Sequence, residues 1–209
     1  MLVSRPALLK GACAALLLAA LLPAVPAQES ARGVFLVARP GLPDPNFSES
    51  VVLVARGADA PIGVIVNRPL SLSLAEVLPG ERFRRFDQPM RFGGPVAPNA
   101  LLALFAAESA PAGVITMAPG LHLAVDPDAI DRLLHEPPAT IRFFSGYSGW
   151  APGQLDAEIA RGDWFVLDAD AENALRADTS KLWQQLLVRA RAVRAQAGTA
   201  KTTTRRVTS

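Results

Sequence analysis

The sequence predicts an α+β fold, in which one domain is built on a curled, mainly antiparallel β-sheet flanked by a few short helices. Half of the 209 residues are apolar, which is enough for a buried core and too much for a disordered chain. Short β-branched and apolar runs outnumber the helical patterns. The helical patterns do not alternate regularly with the strands, and this argues against a doubly wound parallel sheet.

Eight short apolar runs, bounded mostly by glycine, proline or polar residues, predict strands. They are Gly33–Ala38, Ser50–Arg56, Ile62–Asn67, Leu101–Phe105, Gly113–Met117, Leu121–Val125, Thr140–Ser145 and Trp164–Leu167. A further strand end is predicted at Arg91–Val96, which runs into a sharp turn at its two glycines and proline. Gly57–Pro61 predicts another turn, and the charged segment Glu81–Gln88 predicts a surface loop.

Four segments predict helices: Ser73–Leu78, Asp126–Glu136, Pro152–Ala160 and Lys181–Ala195. Ser73 and Asp126 are the expected N-caps of the first two, since short polar side chains accept hydrogen bonds from the first turn. The last helix carries an apolar stripe predicted to face the core, made of Leu182, Trp183, Leu186, Leu187 and Ala190. The Thr- and Arg-rich segment 196–209 is predicted to be a disordered tail.

The N-terminal segment 1–27 predicts a secretory signal peptide. Arg5 and Lys10 precede the uncharged run Gly11–Leu22, and small residues lead to a cleavage site after Ala27. The run is too short for an unbroken membrane span. Cleavage would also remove Cys13, the only cysteine, together with any disulfide or thiol chemistry. A periplasmic or secreted protein is therefore expected, with no membrane span after cleavage. There are two alternatives. The segment is a membrane anchor, or the true start codon lies further downstream and the protein is cytoplasmic.

The charge of the chain gives little sign of a nucleic-acid partner. The formal net charge is only +2 at pH 7, so strong general affinity for nucleic acid is not predicted. Basic residues concentrate between Arg189 and Arg206. They fit a solvated helix end followed by a tail, or alternatively a weak contact with anionic lipid or nucleic acid. No helix-turn-helix pattern stands out.

The segment Gly146-Tyr147-Ser148-Gly149-Trp150 partly matches the nucleophile elbow of serine hydrolases. The elbow needs glycine two residues after the serine, and Trp150 stands there instead. The order of the hydrolase triad also places its histidine last, whereas His122 and His135 both precede Ser148. A hydrolase centred on Ser148 is therefore a weak hypothesis, and a glycine-rich corner plugged by Trp150 is the simpler interpretation.

Cofactor chemistry is not predicted either. Asp126, Asp128 and Asp131 lie between His122 and His135, and the positions of Asp126 and Asp128 suit helix capping better than metal binding. No phosphate-binding glycine motif is present. The sequence predicts neither a metal nor a cofactor.

Three groups of motifs, taken in order, resemble the YqgE/AlgH family of small bacterial proteins over residues 32–195. The first is Gly33–Ala38 with Asp44–Phe47 and Ser50–Val52, and the second is Gly63–Pro69 with Gly93–Val96. The third is Gly146–Trp150 followed by Gly153, Gln154, Leu155 and Glu158. The resemblance implies a single α+β domain with coiled, branching sheets. It implies no settled activity, although members are often labelled transcriptional regulators.

The chain departs from this family pattern in ways that weaken the regulator label. Members typically lack an export signal, and an exported protein cannot regulate transcription by touching DNA. Many members carry a histidine where this chain has Phe105-Ala106, and many end in Gly-His-Ala where it has Gly198-Thr199-Ala200. The family also favours a small residue, often alanine, at the position of Ser148, which weakens the nucleophile hypothesis further.

The motif residues predict a ligand pocket if their strand ends converge. Its candidate residues are Asn67, Arg68, Gly93, Gly94, Gly146, Tyr147, Ser148, Trp150 and Gln154. An arginine, exposed amide groups and two aromatic rings would suit a small anionic ligand or a peptide terminus. The alternative is structural, with glycines that permit tight turns and Arg68 in an ion pair, for instance with Glu158.

Three functions follow as hypotheses. The first is a non-enzymatic binding or accessory domain of the cell envelope, with a small anionic ligand or a protein partner and no specific nucleic acid. The second is a cytoplasmic transcriptional regulator, if the signal is not used. The third is the serine hydrolase. The sequence defines no oligomeric state.

Overall fold

The structure is a computed structural model that describes residues 33–56 and 60–207, with side chains as far as residue 196. The predicted signal peptide and most of the predicted Gly57–Pro61 turn lie outside the described residues. The domain boundaries at residues 32 and 195 stay predictions. No helix in the described part of the chain is long and apolar enough to span a membrane.

Strands dominate the described residues. They are β1 (Gly33–Ala38), β2 (Val51–Ala55), β3 (Ile62–Ile65), β4 (Pro69–Ser73), β5 (Pro89–Phe92), β6 (Val96–Ala106), β7 (Val114–Ala118), β8 (Leu121–Ala124), β9 (Ile141–Gly149) and β10 (Trp164–Asp168). The main sheet has the order β10-β1-β2-β3-β9-β6-β8-β7, with antiparallel neighbours throughout. The pair β4-β5 branches from it, because β5 lies parallel to β9. The predicted fold class is confirmed.

The sheet curls so that its two ends approach each other. β1 lies near one end of the strand order and β7 is at the other, yet Gly33 of β1 touches Met117 of β7. A Cβ atom on Gly33 would lie 2.9 Å from the Met117 carbonyl carbon, so only glycine allows this approach. Both faces of β1 are buried, since Phe35 and Val37 enter one core cluster and Val34 and Leu36 another. This explains why β1 reads as a continuous apolar run.

The last helix, α5 (Leu182–Val207), packs against β1 and β10 and contributes to the core cluster that contains Phe35 and Val37. Its predicted apolar stripe is confirmed, because all five stripe residues are buried. The indole Nε1 of Trp183 also donates a hydrogen bond to the Ala38 carbonyl at 2.9 Å, which fixes the helix against β1. The helix does not end at Ala195 as predicted, and it extends into the segment for which the sequence predicts a disordered tail.

The other helices are α1 (Leu74–Val77), α2 (Pro127–His135), α3 (Gln154–Arg161) and α4 (Ala171–Leu175). The expected caps are present: Asp126 accepts from two backbone amides of α2, and Ser73 forms a reciprocal capping box with Glu76. The carboxylate of Glu76 has a lowered pKa because it accepts hydrogen bonds from the Ser73 hydroxyl and amide.

The prediction of a surface loop at Glu81–Gln88 is wrong in part. The segment begins with a 3-10 turn at Glu81–Phe83, and Phe83 and Phe86 are buried beneath it. Phe86 packs edge-on against Phe143 with ring centroids 5.1 Å apart. The arginines between these phenylalanines made the segment look exposed, but a 3-10 turn places positions three apart on one side.

Four features near the motifs escaped prediction. β4 and α4 were not recognised, since both are short and of mixed polarity. β9 continues to Gly149, so the glycine-rich segment belongs to a strand and is no elbow between a strand and a helix. β6 begins at Val96, and its register against β9 shifts between Val96 and Leu101. The extra residues of β6 form a bulge beside Gly146.

Candidate functional site

The two glycine-rich motifs meet as backbone against backbone. Gly93 and Gly94 follow β5 and cross Gly146–Ser148 of β9 without room for side chains. A Cβ atom on Gly93 would lie 3.1 Å from the Gly146 carbonyl carbon and closer still to its oxygen. A Cβ atom on Gly94, at φ 150°, would lie 2.5 Å from the Ser148 amide nitrogen. These glycines close the crossing themselves and leave no pocket between the motifs.

Ser148 is a buried structural donor. Its side chain is completely buried, and Oγ donates a hydrogen bond to the Gly93 carbonyl at 3.0 Å. Neither histidine pairs with it: His122 lies against Thr116 and the Ala107 carbonyl, and His135 lies beside Arg82 and Asp131. A nucleophilic serine needs an accessible oxygen and a base within hydrogen-bond reach. The described geometry supplies neither to Ser148.

Trp150 and Gln154 belong to a hydrogen-bonded cluster centred on Glu158. One carboxylate oxygen of Glu158 accepts from the indole nitrogens of Trp150 and Trp164, both at 2.9 Å. The other accepts from Gln154 Nε2 at 2.9 Å. The suggested ion pair between Arg68 and Glu158 is therefore wrong, because other donors occupy the carboxylate. Trp150 is buried, as expected of a packing plug.

Asn67 and Arg68 hold the loop of residues 44–50 through its backbone. Asn67 Oδ1 accepts from the Val51 amide at 2.8 Å, and its Nδ2 donates to the Glu49 carbonyl at 2.9 Å. Arg68 donates to the carbonyls of Pro45 at 3.1 Å and Ser48 at 2.7 Å. Burial lowers the pKa of the Arg68 guanidinium, and nearby Asp44 opposes this shift. The two side chains fix the shape of a loop that has no regular structure.

Tyr147 is partly buried and packs against the core cluster on the α5 side of the sheet. Its register partner on β6 is Val96. The nine predicted pocket residues thus separate into three places: the glycine crossing with Tyr147 and Ser148, the Glu158 cluster with Trp150 and Gln154, and the loop held by Asn67 and Arg68.

A groove of about 390 Å³ lies beside this last place, and we call it the Arg68 groove. One wall is the loop at Ser48 and Glu49, the floor includes Asn67, Arg68 and Pro69, and the other wall is the connection from α4 into α5. The residues of that second wall are Ala177, Asp178, Thr179, Ser180, Trp183 and Gln184. Of the nine predicted residues, the groove contains Asn67 and Arg68.

The second wall is held by Arg91, which sequence reasoning missed. Arg91 is 3% exposed as a residue, and its guanidinium donates to the carbonyls of Ala174, at 3.2 Å, and Arg176. Burial, with a smaller contribution from nearby Arg142, lowers the pKa of Arg91 to about 10. A charged residue in an otherwise apolar strand just before Gly93 was the available signal.

The rim of the Arg68 groove is mixed in charge. Glu49 and Asp178 supply carboxylates on opposite walls, and Arg68 supplies the guanidinium. Asp178 accepts from the Ser180 amide at 2.9 Å, and hydrogen bonds from Ser180 lower the pKa of this carboxylate. Both carboxylates stand at exposed positions, so the groove offers both signs of charge to an incoming group.

No cluster of three or more His, Cys, Asp or Glu side chains suited to a metal ion occurs among the residues that the structure describes.

Comparison with known proteins defines the class of protein. Residues 35–193 match the family model described as AlgH-like. A UPF0301 protein of Myxococcus xanthus is 38% identical over 157 residues, which is 73% of this chain and 86% of the relative. One from Thermobifida fusca is 40% identical over 174 residues, covering 77% and 87%. The chain therefore belongs to the AlgH-like family, whose biochemical activity is unknown.

Two solved structures share the fold. The solution structure of AlgH from Pseudomonas aeruginosa aligns with a TM-score of 0.63 and 25% identity, over 78% of this chain and 89% of that protein. A crystal structure from Corynebacterium diphtheriae aligns with a TM-score of 0.60 and 26% identity, over 77% and 87%. These comparisons confirm the family resemblance predicted from the ordered motifs.

We expect Gly94→Ala to lower the free energy of unfolding by more than about 3 kcal/mol, because the new Cβ would collide with the backbone of β9 at an unfavourable φ. Gly41→Ala is the matched control: Gly41 also has a positive φ, 72°, but a Cβ atom there meets nothing within 4 Å. Its cost is about 1–2 kcal/mol, from the backbone conformation alone. Denaturant unfolding followed by tryptophan fluorescence measures both, and equal losses would contradict the close crossing.

Proposed function

We propose that this protein is a non-enzymatic binding domain of the bacterial cell envelope, and that the Arg68 groove holds a peptide segment of a partner protein. The observation that carries the proposal is the construction of the groove. Its two walls are mainly irregular backbone segments, and buried or partly buried side chains from the β3–β4 turn and from β5 fix both of them. A preformed concave surface lowers the entropy cost of binding.

The charges of the groove favour a peptide over a free small anion. The sequence predicted a small anionic ligand or a peptide terminus because Arg68 was the only charged candidate. The groove also presents Glu49 and Asp178. A free anion near Arg68 would be repelled by both carboxylates. A peptide can meet both signs, with a basic side chain near the carboxylates and a carbonyl or carboxyl group near Arg68.

A non-enzymatic role is supported by the state of Ser148, the residue that motivated a hydrolase. Its hydroxyl is enclosed and already donates to Gly93. The motif glycines Gly93, Gly94 and Gly146 lie where two backbones cross in close contact. The features that look catalytic in the sequence therefore have structural roles, and the groove contains neither Ser148 nor a histidine.

A location in the envelope is supported by the N-terminal sequence. A short basic region with Arg5 and Lys10, an uncharged run and a small-residue site before Gln28 are the layout of an export signal. In that compartment the protein would act on envelope proteins and would not contact DNA. If the protein stays in the cytoplasm with its N-terminus intact, direct transcriptional regulation replaces the envelope role as the leading hypothesis.

We expect Ala177→Trp to abolish peptide binding, because Ala177 is exposed in the groove and an indole there would occupy the space between its two walls. The probe is an array of random decapeptides in basic, acidic and neutral sets. The wild type should retain basic peptides best, and Ala177→Trp should lower retention at least tenfold.

The control for this experiment is Ala110→Trp, which adds the same ring at an exposed position outside the groove and should bind like the wild type. Equal retention by wild type and Ala177→Trp, or retention of acidic peptides alone, would contradict the proposed use of the groove.

We expect the protein isolated from fractionated native cells to begin at Gln28 and to occur in the periplasmic fraction. Intact-mass measurement and N-terminal sequencing read this directly. An intact Met1 in the cytoplasmic fraction, or a start near Ala31, would overturn the export proposal and would restore the regulator hypothesis.

A further inference from the structure

Two arginines that do not themselves line the Arg68 groove, Arg91 and Arg142, lie on adjacent strands on one side of the branched sheet. Arg91 of β5 is in parallel register with Phe144 of β9. Arg142 lies two residues before Phe144, and side chains two apart in a strand share a face. That face is the one covered by α4, since Arg91 reaches the carbonyl of Ala174. The strand pairing therefore brings two guanidinium groups together at the edge of the core.

Neither arginine has an acidic partner among the described residues, where ion pairs within 4 Å involve other side chains. The acids of α4 are engaged elsewhere. Asp170 caps that helix and pairs with Arg189, and Glu172 lies beside Arg176. The pair is thus a local excess of positive charge.

The two guanidinium groups differ in how they are satisfied. Arg91 is enclosed and donates to two carbonyls at the C-terminal end of α4, where the helix dipole favours a cation. Arg142 is only partly buried, and the one hydrogen bond of its guanidinium among the described residues is donated to the carbonyl of Ile141, its own neighbour. Its other guanidinium donors have no protein acceptor there, and Arg91 is a second cation that it repels. Burial also lowers the pKa of Arg142, and Arg142 contributes to the lowered pKa of Arg91.

We propose that Arg142, supported by Arg91, forms a binding site for a small oxyanion of the phosphate or carboxylate type on the α4 face of β5 and β9. A planar guanidinium presents paired N–H donors that match two oxygens of such an anion. An anion there offsets the repulsion between the arginines, and Arg91 keeps its own hydrogen bonds to α4. The site is distinct from the proposed peptide groove, because neither Arg142 nor Arg91 lines that groove.

The test is thermal unfolding of the purified protein in inorganic phosphate and, separately, in acetate, each compared with sodium chloride at the same ionic strength. With about 10 mM phosphate we expect the midpoint to rise by about 3 °C for a millimolar site. Arg142→Gln should abolish the rise. Arg56→Gln removes an exposed arginine that pairs with Asp156 elsewhere, and it should keep the rise.

A second measurement uses no variant at Arg91, which is too buried to replace safely. The side-chain Nε–H resonances of the arginines are followed by NMR during a phosphate titration. The resonance that Arg142→Gln removes should shift with saturation. Saturation by phosphate alone would identify a phosphate-type site, and saturation by acetate would extend it to carboxylates. A rise in midpoint that Arg142→Gln retains, or a shift that never saturates, would overturn the proposal.

Discussion

The structure depends on a crossing of two backbones that only glycine permits. Gly93 and Gly94 follow β5 and contact the backbone of β9 at Gly146–Ser148, and the Ser148 hydroxyl donates to the Gly93 carbonyl. The crossing joins the branch formed by β4 and β5 to the main sheet. Backbone hydrogen bonds also link it to the floor of the Arg68 groove, since the Ile65 amide donates to Gly93 and the Phe92 amide donates to the Arg68 carbonyl. The motif that resembles a catalytic elbow is therefore the support of the site.

The walls of the groove are built under one physical constraint: the N–H and C=O groups of irregular backbone near a core need hydrogen-bond partners. Here the partners are side chains that come from other parts of the chain. Asn67 and Arg68 satisfy carbonyls and an amide of the loop before β2, and Arg91 satisfies the carbonyls at the end of α4. Charged groups held in this way are poor candidates for direct catalysis, but they give two loops a fixed separation. A fixed separation between loops of mixed charge is what a binding surface needs.

Sequence reasoning predicted those elements whose periodicity is imposed by burial. The double burial of β1 gives a continuous apolar run, and the single buried face of α5 gives a stripe at helical spacing. It failed where buried side chains stand among exposed polar ones, and where a strand buries little of its surface. Phe83 and Phe86 are buried between exposed arginines, and Pro69–Ser73 forms a strand with little buried surface. Neither pattern carries a period from which an element can be assigned.

The candidate site was predicted only in part, for a topological reason. Asn67 and Arg68 line the groove, but local sequence does not reveal that β5 runs parallel to β9 and brings Gly93 onto Gly146. Without that pairing, glycines and polar residues at strand ends all look like parts of one pocket. The second wall of the groove, near Ala177–Ser180, lies more than a hundred residues after Arg68 in the sequence. Arg91, the residue that holds this wall, belongs to no motif.

The central claim is that the glycine-rich motif supports the fold and performs no chemistry, and Ser148→Ala tests it most directly. The buried Gly93 carbonyl would lose one of its two donors and keep the Ile65 amide, so the free energy of unfolding should fall by about 0.5–1.5 kcal/mol. The wild-type protein should also remain unlabelled by a fluorophosphonate that reacts with activated serines. A variant as stable as the wild type, together with stoichiometric labelling of Ser148 in the wild type, would contradict this account and identify Ser148 as a nucleophile.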